Sequence, residues 1–86
     1  METNTNNNQE RVEVMALFGY EMTPCQPLSF RRRGDVRDTE VTELLATTVK
    51  FIGGIARHIF DVTVGNEHCQ LEFDSRSLAW YLTAEA

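Results

Sequence analysis

No apolar run in this chain approaches the roughly 18 residues that a membrane-spanning helix requires. The N-terminus lacks the basic start and apolar stretch of a secretory signal. A cytoplasmic protein is the expectation. Cysteine is scarce. Cys25 and Cys69 are the only two, too few for a disulfide framework, and they are expected to be buried thiols. Sequence alone leaves a Cys25–Cys69 bond open, because it does not give the Cα separation that a disulfide needs. Basic residues are also in the minority, 8 against 13 acidic, for a net charge of −5. That balance favours solubility and works against nonspecific binding to nucleic acid or anionic lipid. No phosphate loop is present either, since Gly53-Gly54 lacks the following Lys-Ser/Thr.

Metal and catalytic chemistry are thinly supplied. Zinc needs about four converging ligands. The candidates Cys25, His58, His68 and Cys69 show neither CxxC nor HxxxH spacing. His68 and Cys69 are adjacent, so in a strand they point to opposite faces. Cys69 sits two places from Leu71 on an inward face, a setting that makes a thiol inert. The chain is therefore expected to be non-enzymatic, with no catalytic, cofactor-binding or metal-binding residue and no cofactor.

Eighty-six residues make one small domain, which buries roughly 60% of the surface its unfolded chain exposes. The opening "METNTNNNQE" has no apolar residue after Met1 and cannot offset the cost of ordering. Residues 1–9 are expected to be a disordered tail and residues 10–86 a single small β domain.

Period-two patterning is clearest in "RHIFDVTVGNEHCQLEFD". His58, Phe60, Val62 and Val64 alternate with polar partners, and so do Cys69, Leu71 and Phe73. Gly65-Asn66 between them is a two-residue hairpin signal. That loop fixes the register: Val62 opposite Cys69, Phe60 opposite Leu71, His58 opposite Phe73. Arg57 then faces Asp74 as a solvent ion pair. "LAWYLTA" follows as a third strand after a turn at "DSRS", completing a meander, with Trp80 and Leu82 inward.

The N-terminal half is less regular. "RVEVMALFGY" reads as a strand with Val12, Val14, Ala16 and Phe18 on one face. Met15 and Leu17 on the other face imply cover on both sides for part of its length. "MTPCQP" reads as a loop or irregular edge. "PLSFRRRGD" reads as the next strand, with Leu28 and Phe30 inward and a turn at Gly34-Asp35. Over about 40–52, Val41, Leu44, Leu45, Val49 and Ile52 fit a helical stripe, while the threonines and β-branched valines favour a strand.

The order of short motifs resembles a group of small β-rich bacterial proteins to which no activity is attached. The residues concerned are Pro27-Leu28-Ser29-Phe30, Val41 to Leu45, Gly53-Gly54, Ile59-Phe60-Asp61, Leu71-Glu72-Phe73-Asp74 and Trp80-Tyr81-Leu82. The resemblance implies a strand over about 36–45. The fold expected is mainly β, a small antiparallel barrel or curved sheet of five to six strands ending in a three-stranded meander. The alternative is an α+β domain with a helix at about 39–52 packed on the sheet.

The functional candidates are few. Arg31, Arg32 and Arg33 stand side by side. Strand alternation would put Arg31 and Arg33 on one face and Arg32 on the other, so the run is not one patch. Asp35, Asp38, Glu40 and Glu43 lie close enough in sequence to neutralise it. Two readings follow. The chain is a protein-interaction module, with a homodimer through a sheet edge as one form. Alternatively it is a small β domain that binds single-stranded nucleic acid or another anion through Arg31 and Arg33, against which its acidity argues.

Overall fold

The computed structural model describes residues 9–19 and 24–84. Among them are seven strands and no helix: β1 (Gln9–Phe18), β2 (Cys25–Arg31), β3 (Thr39–Glu40), β4 (Glu43–Ile52), β5 (Ile55–Val64), β6 (Glu67–Asp74) and β7 (Ala79–Ala84). They form one antiparallel sheet in the order β3-β2-β1-β7-β6-β5-β4, curled into a half-barrel. The mainly β reading holds, with seven strands in place of five to six.

The C-terminal meander follows its sequence pattern closely. Phe60 faces Leu71, Val62 faces Cys69 and His58 faces Phe73. Leu71 in turn faces Leu82, and Phe73 faces Trp80. Gly65 sits at φ 62°, the left-handed conformation that this tight turn requires and glycine adopts without strain. The inward residues of β5, β6 and β7 meet Val12 of β1 and Phe30 of β2 in one core. Trp80 lies against Phe73 and Phe60, with ring centroids 4.9 and 5.5 Å apart.

The curl comes from β1 and two bulges. β1 pairs with β7 through Gln9–Val12 and with β2 through Glu13–Phe18. Its far end bends over the concave face until Phe18 meets Phe73 edge-on at 6.0 Å. A bulge raises local twist and bends a strand. In β2 one forms at Leu28, which has no partner because Met15 faces Ser29 and Ala16 faces Pro27. In β4 another forms at Leu45. One end of the half-barrel is tied by the β3–β4 connection. There the Val41 amide donates to the Leu28 carbonyl and the Thr42 amide to the Thr63 carbonyl, both at 2.9 Å.

Several expectations are corrected. Residues 43–52 form a strand, not a helix. The apolar stripe that fits a helix is divided between faces, with Val41 and Leu44 packed on the core and Leu45 and Ile52 exposed. Leu28 is exposed, because the bulge displaces it from the face it would share with Phe30. Met15 and Leu17 are exposed, so nothing among the described residues covers that side of β1. Cys25 and Gln26 belong to β2, which starts two residues before the strand read from Pro27. Pro27 is fully buried and its missing donor is accommodated beside the bulge. Gln9 is already paired with Thr83. The rest of the expected tail, residues 1–8, lies outside the described residues.

Candidate functional site

Three surfaces carry polar or exposed apolar groups that an ordinary small β domain would not need. The first surrounds the arginine run. β2 ends at Arg31, and Arg33-Gly34 form the following turn, so Arg31 and Arg33 do not alternate along a common strand face. The turn is closed by the Asp35 amide donating to the Arg32 carbonyl at 3.0 Å. The Arg32 amide donates to Asp35 Oδ2 at 3.1 Å. Arg31 Nε bonds Asp38 Oδ1 at 2.9 Å. Arg32 reaches across to β1, with Nη2 and Nε on the two oxygens of Glu10 at 2.7 and 3.2 Å. This bidentate bond, with the charge of Glu10 behind it, raises the Arg32 pKa above its ordinary value.

Arg31 and Arg33, with Arg11, Arg32, Glu13 and Asp35, line an open groove of about 580 Å³. Arg11 and Arg33 have no ion pair among the described residues. Glu13 and Asp35 share the groove with the four arginines, and Asp38 and Glu10 engage Arg31 and Arg32 from beside it. Substituting Arg31→Ala together with Arg33→Ala is expected to change stability by only a few tenths of a kcal/mol. Arg32→Ala is expected to cost more, up to about 1 kcal/mol, because its fork joins β2 to β1. Urea unfolding of the three proteins checks both.

The second surface is a clasp on the convex face of the meander. Arg57 lies opposite Asp74 as the pattern requires, but the pair is not a solvated one. The side chains of Arg57 and Asp74 are 23% and 13% exposed. Arg57 Nε bonds Asp74 Oδ2 at 3.1 Å, Arg57 Nη1 bonds Glu72 Oε2, and Gln9 Nε2 donates to Glu72 Oε1 at 3.1 Å. The guanidinium also stacks over Tyr81, 5.4 Å from its centroid. Asp74 Oδ1 accepts the Arg76 and Ser77 amides at 2.9 and 3.0 Å. The Ser77 amide is the main reason the Asp74 carboxyl titrates below its ordinary value. The Glu72 hydrogen bond does most to raise the Arg57 pKa. Every charge in this cluster is answered by a neighbour, which makes it a structural clasp. The sequence pattern gave the Arg57–Asp74 register. The joining of Gln9 and Tyr81 depends on β1 and β7 meeting beside it.

The remaining chemical candidates are dispersed. His58 lies on the concave face against Phe73. Cys25 and Cys69 are both buried and not bonded to each other, and burial pushes the Cys25 thiol up to about 11. Among the described residues no three His, Cys, Asp or Glu side chains gather as metal ligands.

The third surface is the sheet edge at β4. Among the described residues β4 pairs only with β5. All of its ten residues but Leu44 are exposed. Phe51 is 72% exposed, and Leu45, Val49 and Ile52 each about half. Its sequence has no proline or glycine, and no charge between Glu43 and Lys50. The opposite edge is the two-residue β3. The sequence does not single out β4, because the spacing of its leucines and Val49 also fits a helical stripe while its threonines favour a strand. Its position at the edge depends on the strand order.

No protein-family model, curated protein or solved structure matches this chain.

Proposed function

We propose that this protein is a non-enzymatic interaction module that binds by strand addition at the β4 edge. The observation that carries the reading is a ten-residue strand that has exposed apolar side chains and, among the described residues, one side of its backbone unpaired. Such an edge is a template for another strand, and soluble proteins usually blunt it with shortness, proline or several charges. β4 has only Glu43, Lys50 and the bulge at Leu45 in that role. The net charge of −5 and the pairing of Arg31 with Asp38 weigh against the rival reading of single-stranded nucleic-acid binding through Arg31 and Arg33.

The test is a capture from host lysate with the wild type and with a Val49→Lys, Phe51→Lys variant. Both positions are exposed, so the variant is expected to stay folded, with an unchanged circular dichroism spectrum. Partner capture is expected for the wild type and not for the variant. A partner retained by the variant, or micromolar binding of single-stranded oligonucleotide that an Arg31→Ala, Arg33→Ala protein loses, overturns the reading.

A further inference from the structure

We infer that the strand added at β4 is the β4 of a second copy, paired antiparallel about a two-fold axis through Thr47. This inference rests on the strand-addition reading above and names its partner.

The argument starts from which residues share a face. Opposite residues in an antiparallel ladder lie on the same face. Leu44, Thr47 and Val49 face Val62, Phe60 and His58, so they lie on the concave side. Glu43, Ala46, Thr48 and Lys50 face Thr63, Asp61, Ile59 and Arg57, so they lie on the convex side. Leu45 is the extra residue of the bulge. Because of that bulge, Glu43 and Lys50 stand on the same face although seven positions apart in sequence.

A two-fold axis normal to the sheet joins concave face to concave face, and by symmetry every contact occurs twice. Centring it on Thr47 places Thr47 opposite its own copy and Ala46 opposite Thr48. Leu44 then falls opposite Val49, and Glu43 opposite Lys50. The bulge at Leu45 is carried in both ladders. Leu44 and Val49 form an apolar pair twice per dimer, and Glu43 and Lys50 meet as opposite charges. Neither Glu43 nor Lys50 has an ion pair within the chain among the described residues. Moving the centre to Thr48 breaks the match, placing Glu43 opposite Ile52 and Lys50 opposite Ala46. A parallel pairing would set like charges side by side, which is unfavourable.

Sedimentation velocity on the full chain at about 0.1 mM is expected to report a dimer. Lys50→Glu sets Glu opposite Glu43 twice per dimer and is expected to raise Kd by about tenfold or more. Adding Glu43→Lys to it restores opposite charges and is expected to return Kd to near the wild-type value. A Thr47→Cys protein, whose two native thiols are buried, is expected to crosslink as a dimer on mild oxidation. A Phe51→Cys protein is not, because its two thiols would lie roughly 27 Å apart. A wild type that stays monomeric overturns the inference. If that monomer still captures a partner that the Val49→Lys, Phe51→Lys variant loses, strand addition stands and only the second copy is excluded. If it captures none, both fall. A dimer unaffected by Lys50→Glu, or one crosslinked as readily through Phe51→Cys, overturns the register.

Discussion

Trp80→Ala is expected to leave a domain that barely folds at 37 °C. Trp80 is 7% exposed and packs on Phe73 and Phe60 at 4.9 and 5.5 Å between centroids. It also pairs across the ladder with Val12, so it bridges the meander to β1. Truncating a buried tryptophan removes its transfer free energy and leaves a cavity, at a cost of roughly 3–5 kcal/mol. A domain of this size has a total stability of about 4–13 kcal/mol. The midpoint of thermal unfolding should fall by at least about 12 °C. In the wild type, Trp80 is the only tryptophan, so fluorescence reports on it alone. Its emission should be blue-shifted and poorly reached by iodide. Red-shifted, readily quenched emission would remove Trp80 from the core.

Arg57→Ala is expected to be the most damaging change on the convex face. It leaves Glu72 and Asp74 partly buried, close together and without their cation. Breaking a fully buried pair costs about 3–5 kcal/mol, and an exposed pair contributes at most about 1. With Arg57 at 23% exposure, a loss on the order of 2 kcal/mol is expected, read from the urea midpoint. Tyr81 loses its cation as well.

The same cluster sets an acid dependence. Asp74 titrates below its ordinary value when folded and near about 3.9 when unfolded. Its contribution is therefore complete above the unfolded value and is lost as pH falls through the lower folded one. Stability should drop below about pH 4. Asp74→Asn should be less stable than the wild type at neutral pH and less steep in that acid window. An equally steep acid profile in Asp74→Asn would assign the dependence to other carboxylates.

The residue pattern alone determined the C-terminal hairpin, its register, the inward set from Phe60 to Leu82, and the burial of both cysteines. Period-two burial and a Gly-Asn turn are local signals, and here they agree with each other. The same local logic failed at Leu28 and at Arg33. A bulge shifts one strand by a residue, and the end of β2 removes alternation altogether. Neither event leaves a mark on period or composition. Residues 43–52 carried both helical spacing and β-branched threonines. Their conformation was decided by pairing with β5, a contact that propensity does not encode. Tertiary structure also decided which charges meet. Glu10 reaches Arg32 and Gln9 reaches Glu72 only because β1 crosses from β7 to β2 as the sheet curls. The open edge at β4 is the plainest case. Every strand has an unpaired side until strand order assigns it a neighbour. Here that order gives β4 a neighbour, β5, on one side only among the described residues.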